Sequence, residues 1–208
     1  MARIAGACLL CDAPAGAVAN LCPACRRPLE RLAAGAPSRL VAYAYAPPVS
    51  TLVHWMKFEG SLPAARTLGA LLTDAVLEAR MPRPDAIVPV PLHAGRLRAR
   101  GFNQALELAR PLARRLGCPL LPRVCRRVRA THAQSRLAGL AERRRNVADA
   151  FRVERPLAHL PRVAVVDDVL TTGATVDAVA RALRGAGVAR VMIWVCAGRS
   201  PGRRETRA

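Results

Sequence analysis

The stretch from Arg162 to Ala197 constrains the fold more than any other part of the chain. It contains an apolar segment (RVAVVD), a polar segment (DVLTTGAT), an amphipathic segment (VDAVARALRGAG) and a second apolar segment (RVMIWVCA). These patterns predict a strand, a loop, a helix ended by Gly185 and Gly187, and another strand. Continuous apolar strands are typical of a parallel sheet buried on both faces. The chain is therefore predicted to have an α/β fold built on a βαβ unit with a right-handed crossover.

The rest of the chain also alternates between strand-like and helical patterns. We expect strands and helices in the following order: a strand at 39–46, helices at 47–56 and 61–80, a strand at 86–91, a helix ending at Gly117, a helix at 138–147 and a strand at 150–153. Ser61 is the predicted N-cap of its helix. Residues 93–104 are predicted to form a basic loop. Pro111 predicts a kink or a break in the helix that ends at Gly117.

Two adjacent carboxylates, Asp167 and Asp168, stand where the first apolar strand of the βαβ unit ends. In α/β sheets, ligands bind at the carboxyl ends of the strands. Because adjacent carboxylates repel each other, this placement requires a compensating ligand, and ribose hydroxyls or a hydrated cation would supply it. Asp167 and Asp168 are therefore the candidate catalytic residues.

The residues after the carboxylates predict a cradle for a phosphate. Thr171, Thr172, Gly173 and Thr175 surround the start of a helix, where unpaired backbone N–H groups and the helix dipole favour an anion. An ordinary turn with an N-cap would need only one Asp and one Thr. No lysine follows the glycine as it does in a Walker A loop, and the GxGxxG pattern of dinucleotide-binding loops is absent.

The chain is strongly basic, with 33 basic and 14 acidic residues and a net charge of +19. Such a charge attracts phosphate groups, whether on nucleotides or on nucleic acid; a solvated basic surface is the alternative interpretation. Lys57 is the only lysine, and it could reach a phosphate, although a lysine at a helix end is more often solvated. No apolar run approaches the ~18 residues that span a bilayer, and we expect a cytoplasmic protein.

A cluster of arginines follows the predicted strand at 86–91. Pyrophosphate carries several negative charges, so such a cluster could hold it together with a divalent ion. A solvated basic loop is the alternative, and Asn103 and Gln104 could instead be the N-cap and first-turn residue of the next helix. The candidate pyrophosphate residues are Pro91, Leu92, Arg96, Arg98 and Arg100.

Four of the seven cysteines form two C-x-x-C pairs near the N-terminus, Cys8 with Cys11 and Cys22 with Cys25. Two such pairs about ten residues apart can present four thiolates at tetrahedral angles, which is a zinc-ribbon pattern. A module this small cannot build its own core, so a metal would supply the folding energy. Disulfides are the competing interpretation, and a cytoplasmic location disfavours them. The predicted role of zinc is structural, since four thiolates leave no open position for catalysis.

The segment VAVVDDVLTTGAT resembles the binding motif for 5-phosphoribosyl-1-pyrophosphate (PRPP) in type I phosphoribosyltransferases. That motif consists of four apolar residues, two acids, an apolar residue and a TTGxT loop. The resemblance implies that Asp167 and Asp168 bind the ribose 2- and 3-hydroxyls and that Thr171 to Thr175 wrap the 5-phosphate. The PRPP-binding residues implied are Asp167, Asp168, Val169, Leu170, Thr171, Thr172, Gly173, Ala174 and Thr175.

More of the chain resembles one branch of these proteins, the ComF (competence protein F) family. The segments that carry this resemblance are VPVPLHAGRLRARGFNQ at 88–104, HWMKF at 54–58, and the spaced polar residues of segment 123–148, which include Thr131 and Gln134. In phosphoribosyltransferases a flexible loop at the place of segment 123–148 closes over the reaction centre and excludes water. A solvated basic loop is the alternative for this segment. His132 and Ala133 stand where relatives often have proline.

The resemblance implies three parts: a zinc-ribbon-like module at 1–36, a type I phosphoribosyltransferase-like domain at 37–198, with a parallel sheet flanked by helices, and a basic tail at 199–208 that we expect to be disordered. As an enzyme, the protein would displace pyrophosphate from C1 of PRPP in favour of an acceptor that the sequence does not identify. Mg²⁺ would bridge pyrophosphate and ribose oxygens. No side chain stands out as a dedicated nucleophile.

ComF membership also implies a role in natural transformation, with a competence helicase and a DNA-processing protein as partners. The second hypothesis is therefore a non-catalytic adaptor that keeps the fold and handles single-stranded DNA. The positive charge favours this reading, whereas the 3 % content of aromatic residues provides few side chains for base stacking.

Overall fold

The computed structural model describes residues 6–16, 19–32, 38–129 and 150–199. The predicted helix at 138–147, the polar positions Thr131 and Gln134 and the tail from 200 onward lie outside these residues. The strands described are β1 (Arg39–Ala44), β2 (Ala86–Pro89), β3 (Cys125–Arg127), β4 (Phe151–Val153), β5 (Arg162–Leu170) and β6 (Arg190–Gly198). The helices described are α1 (Pro23–Arg26), α2 (Val49–Phe58), α3 (Leu62–Glu78), α4 (Ala94–Arg100), α5 (Gln104–Leu116) and α6 (Ala174–Gly185).

Four strands form a parallel sheet in the order β1-β6-β5-β2, so the first and last of the described strands lie side by side. Strands β3 and β4 pair separately and antiparallel. Residues that follow the cysteine pairs extend the sheet beyond β1: Leu32 N–H donates to the carbonyl of Ala42, and Ala44 N–H donates to the carbonyl of Glu30. The prediction of an α/β fold with a parallel sheet is confirmed.

Both faces of the sheet are covered, as the apolar strands predict. In β5, Ala164 and Val166 pack into a core that includes α2, α3 and α5, whereas Val163 and Val165 pack into a second core with α6 and the β3–β4 pair. This alternation follows from the period of two along a strand. The cysteine pairs join the first core through residues that include Leu9 and Leu21.

Helix α4 corrects one prediction, because residues 93–104 are not a loop throughout. The imidazole Nδ1 of His93 accepts a hydrogen bond from Gly95 N–H, and Gly101 ends the helix with a φ of +77°. Arginines in the last turn favour a helix because they interact with the negative end of its dipole. Gly101 is a local signal for the end of this helix. Histidine is an unusual N-cap, so the sequence carries no clear signal for its beginning.

Pro111 does not break α5, which runs from Gln104 to Leu116. The proline ring lies against Gly69 of α3, where a Cβ atom would come within 2.8 Å of the Pro111 Cγ. Packing between α3 and α5 therefore keeps the helix in one piece despite the missing backbone donor. Ser61 caps α3 as predicted, since its hydroxyl accepts a hydrogen bond from Ala64 N–H.

Candidate functional site

The two carboxylates lie inside β5 and not in the loop after it, because the strand continues to Leu170. Consecutive residues of a strand point to opposite faces of the sheet, so Asp167 and Asp168 lie on different faces. A local hydrogen bond links them: the backbone N–H of Asp168 donates to the side-chain carboxylate of Asp167 over 2.9 Å. Asp168 is only 8 % exposed. The strand therefore presents one buried and one half-buried acid near its carboxyl end.

Lys57 is the partner of Asp168. Its Nζ lies 3.0 Å from the Asp168 Oδ2, and the two side chains are 20 % and 11 % exposed. Helix α2 ends one residue later, at Phe58, so this helix delivers the only lysine of the chain to the end of β5. The expectation that Lys57 is solvated is wrong, because the buried carboxylate attracts the ammonium group into the site.

Asp167 has a pKa raised to about 7, first because of burial and second because of the negative charge on Asp168. The backbone N–H of Asp168 and the positive charges of Lys57 and Arg127 act in the opposite direction and favour the ionised form. Near neutral pH Asp167 is therefore partly protonated, and beside it stands Asp168, which is paired with Lys57. Such a pair can accept hydrogen bonds from a diol.

Arg127 of β3 approaches Asp167 from the other face of the sheet. Burial lowers the pKa of its guanidinium, Arg96 lowers it further, and Asp167 raises it. Its guanidinium also stands 5.4 Å from the centre of the Phe151 ring. These interactions place Arg96 of α4, Arg127 and Asp167 in one neighbourhood. The sequence marked the basic segment that contains Arg127 but gave no signal that this residue faces the carboxylates.

The phosphate cradle predicted after the carboxylates is a short turn of residues 171–173 followed by α6. Gly173 is the N-cap of α6 with a φ of +79°, a left-handed conformation that favours glycine. Asp167 and residues 169–176 line a small hollow at this point. The first N–H groups of a helix have no partner inside the helix, so they can donate to an anion in the hollow. Asp177 and Arg39 form an ion pair against the far side of Gly173.

The segment that contains the candidate pyrophosphate residues begins next to the carboxylates, because β2 is the neighbour of β5 and Val90 N–H donates to the carbonyl of Val166. Pro91 and Leu92 follow β2, and Asn103 fastens this segment to α5 by donating to the carbonyl of Val90 over 3.1 Å. Asn103 is also the N-cap of α5, which its carboxamide oxygen supports by accepting from Leu106 N–H.

The three arginines of α4 differ in their surroundings. Arg96 is close enough to Arg127 to affect its pKa. Arg100 instead donates to the Gln104 Oε1 over 3.2 Å, and Arg98 is exposed to solvent. Of the three, Arg96 is therefore the one that lies near Arg127, which in turn acts on Asp167.

The four N-terminal cysteines converge as their spacing predicts. The sulfur atoms of Cys8, Cys11, Cys22 and Cys25 all lie within 4.8 Å of one another. The Sγ of Cys11 is 3.6 Å from that of Cys22 and 3.5 Å from that of Cys25. In a tetrahedral site with metal–sulfur bonds of about 2.3 Å, ligand sulfurs lie about 3.8 Å apart. The cluster therefore fits a metal ion.

The two carboxylates are expected to affect stability in opposite directions. The native protein binds a proton at Asp167 more tightly than the unfolded chain does, so this residue lowers stability as pH rises from about 4 to about 7. Asp167→Asn keeps an acceptor for Asp168 N–H and cannot ionise, and should raise the free energy of unfolding at pH 8 by roughly 1–3 kcal/mol. Urea unfolding at pH 5 and pH 8 measures this difference.

Asp168→Asn is the matched control, because it leaves Lys57 without its counter-charge. It should lower the free energy of unfolding at pH 8 by roughly 1–3 kcal/mol. If both variants lowered the free energy of unfolding, and each did so by the same amount at pH 5 and at pH 8, the assignment of the raised pKa to Asp167 would be contradicted.

No helix within the described ranges is both long and apolar enough to cross a membrane.

Residues 103–208 match the family described as "Phosphoribosyl transferase domain". Among characterised proteins, DNA utilization protein YhgH of Salmonella typhi is 41 % identical over 208 residues, covering 91 % of this chain and 88 % of the relative. The protein of the same name in Escherichia coli K12 is 39 % identical over 203 residues, with the same two coverages. Competence protein F of Haemophilus influenzae is 38 % identical over 156 residues, covering 72 % of this chain and 68 % of the relative.

Among solved structures, the orotate phosphoribosyltransferase of Aeropyrum pernix superposes with a TM-score of 0.36 at 21 % identity, covering 82 % of this chain and 86 % of that one. The purine phosphoribosyltransferase of Pyrococcus horikoshii superposes with a TM-score of 0.35 at 19 % identity, covering 69 % and 74 %.

Proposed function

The chain belongs to the competence protein F family and contains that family's phosphoribosyl transferase domain, and on this basis we propose that it binds PRPP and acts as a phosphoribosyltransferase. One observation carries the proposal. Asp168, which is buried, and Asp167, which is half-buried, lie near the end of a central strand, and a short turn joins this strand to a helix N-terminus capped by Gly173. Diol acceptors and anion donors are thus adjacent, as a ribose 5-phosphate requires.

In this proposal the carboxylates Asp167 and Asp168 bind the ribose 2- and 3-hydroxyls, and residues 171–175 bind the 5-phosphate. Arg96 and the segment at Pro91 and Leu92 lie toward the pyrophosphate. Their positive charge opposes the negative charge that develops on the leaving group. Thr131 and Gln134 belong to the segment proposed to close over the site, outside the described residues.

Catalysis in this site would depend on position and charge. Displacement at C1 passes through a cationic, oxocarbenium-like state, and two nearby carboxylates stabilise positive charge on the ribose. Mg²⁺, when bound with PRPP, would neutralise charge on the pyrophosphate. The carboxylates orient the sugar through its hydroxyls and hold C1 in line with the leaving group.

We also propose that the four cysteines hold a zinc ion and that its role is structural. Four thiolates satisfy the tetrahedral preference of zinc and leave no position for a substrate. Cys8 and Cys22 are buried in the core shared with α2 and α3, so the metal would stabilise the phosphoribosyl transferase domain as well as the cysteine pairs.

A second candidate function is DNA handling, which the names of the relatives and the net charge of +19 favour. The partners would be single-stranded DNA, a competence helicase and a DNA-processing protein in the cytoplasm. Contacts with a DNA backbone are spread over many arginines and weaken steeply with salt. PRPP binding would instead depend on Asp167 and Asp168.

Calorimetry with PRPP and Mg²⁺ tests the proposal by comparing the native chain with Asp167→Asn/Asp168→Asn. We expect one PRPP per native chain and an affinity roughly 100-fold lower in the variant, since both diol acceptors lose their charge. In parallel, single-stranded DNA binding should fall roughly 10-fold or more between 50 and 200 mM salt in both proteins. A native chain that binds DNA but not PRPP would refute the enzyme assignment and support the adaptor.

A further inference from the structure

We propose that Lys57 is a positioning residue of the ribose site. Its ammonium group pairs with the Asp168 carboxylate while the site is empty, and it moves to the anionic group at C1 of the sugar when a ribose hydroxyl binds Asp168. This inference rests on the proposed function and assigns the site a means of selecting its ligand. It predicts a preference for a ribose phosphate with pyrophosphate at C1 over ribose 5-phosphate itself.

The ion pair occupies the carboxylate that the ribose needs. The Lys57 Nζ is 3.0 Å from the Asp168 Oδ2, and the Asp168 side chain is 11 % exposed. Little of that carboxylate remains accessible from solvent. A hydroxyl that binds it must therefore share or displace the ammonium group.

Displacement has a cost that depends on the ligand. An ammonium that leaves its carboxylate in a partly buried site loses its counter-charge, which is strongly unfavourable. A ligand with an anionic group near the 2-hydroxyl restores that counter-charge, and pyrophosphate at C1 is such a group. Ribose 5-phosphate carries its anion at the other end of the sugar, where residues 171–175 lie. Only the ligand with pyrophosphate at C1 therefore compensates the positive charge of Lys57.

Lysine suits this exchange better than arginine does. Its ammonium is a compact charge on a flexible chain, whereas a guanidinium binds a carboxylate through two parallel hydrogen bonds. The chain has 33 basic residues, and the only lysine among them is the one on Asp168. A guanidinium at this position would hold the carboxylate more firmly and impede the sugar.

The experiment measures the affinities for PRPP and for ribose 5-phosphate, both with Mg²⁺, in the native chain, Lys57→Met and Lys57→Arg. Arg66→Met is the control for net charge, because Arg66 is exposed on α3. For Lys57→Met we expect roughly a 10-fold or larger loss for PRPP. Ribose 5-phosphate should bind that variant as well as it binds the native chain, or better, because the carboxylate is free. Lys57→Arg should weaken both ligands, and Arg66→Met should change neither.

Equal losses for both ligands in Lys57→Met would overturn the inference, since a purely structural lysine affects them alike. Unchanged PRPP affinity in that variant would also overturn it. If Lys57→Met does not fold, Lys57→Arg decides: a variant that binds both ligands like the native chain contradicts the exchange. Failure of the native chain to bind PRPP would instead refute the proposed function.

Discussion

Replacing Cys11 by serine is expected to destabilise the whole folded chain and not only the N-terminal residues. Cys11 is exposed, so the substitution removes a metal ligand without opening a cavity. Its neighbours Cys8 and Cys22 are buried in the core of the larger domain. Structural zinc typically contributes about 10 kcal/mol or more of folding free energy to a small site. Even partial loss, about 3 kcal/mol, should lower the melting temperature by roughly 6–12 °C.

Two measurements check this expectation. Elemental analysis should find one zinc ion per native chain and much less in Cys11→Ser, and thermal unfolding should be a single transition that is lower in the variant. Cys118→Ser is the control, because Cys118 is also a free cysteine but lies outside the cluster. A melting temperature unchanged in Cys11→Ser, with zinc retained, would show that the four sulfurs are not a metal site.

Gly173→Val should remove binding of the 5-phosphate. At a φ of +79° a residue with a Cβ costs about 1–2 kcal/mol, and a branched side chain more. The new Cβ would stand 3.3 Å from the Asp177 Oδ2 and 3.5 Å from the Arg39 Nη1, so the ion pair behind the turn must shift. The N-terminus of α6 would move with it. We expect roughly a 100-fold loss of affinity for ribose 5-phosphate by calorimetry.

Gly185→Ala provides the control on the same helix. Gly185 has no neighbouring atom within 4 Å of a built Cβ, and its φ is not in the left-handed region. Alanine at this position should leave ligand binding unchanged and stabilise the chain by up to about 1 kcal/mol. If Gly173→Val bound ribose 5-phosphate like the native chain, the hollow at 169–176 could not be the phosphate site.

The parts of the fold that sequence predicts well are those with strong periodicity. Strands β5 and β6 are continuous apolar runs, and α3 has a serine N-cap followed by proline, so both kinds of signal are local. The apolar pattern predicts an end of β5 at Asp167, three residues early, and so omits Asp168, Val169 and Leu170 from the strand. Polar carboxylates resemble the beginning of a loop, whereas pairing with β6 continues to Leu170. That pairing comes from the partner strand and has no trace in the local pattern.

The same limit applies to the candidate site. Asp167, Asp168 and the turn at Gly173 are close together along the chain, so the sequence alone nominates them as candidates. Lys57 and Arg127 are distant along the chain, and the sheet brings them to the carboxylates from opposite faces. Lys57 is a lone lysine at a helix end, and Arg127 is one of 33 basic residues. Neither has a local sequence feature that reveals its partner in the site.

The position of β1 beside β6 has a consequence for synthesis of the chain on the ribosome. The sheet partner of residues 39–44 is residues 190–198, so β1 has no neighbour on that side until β6 has been made. The strands at the centre of the sheet, β5 and β6, are made after β1 and β2. The sheet therefore cannot close until β6 has left the ribosome, and a chain cut short before residue 190 would leave this edge of β1 exposed to association with other chains.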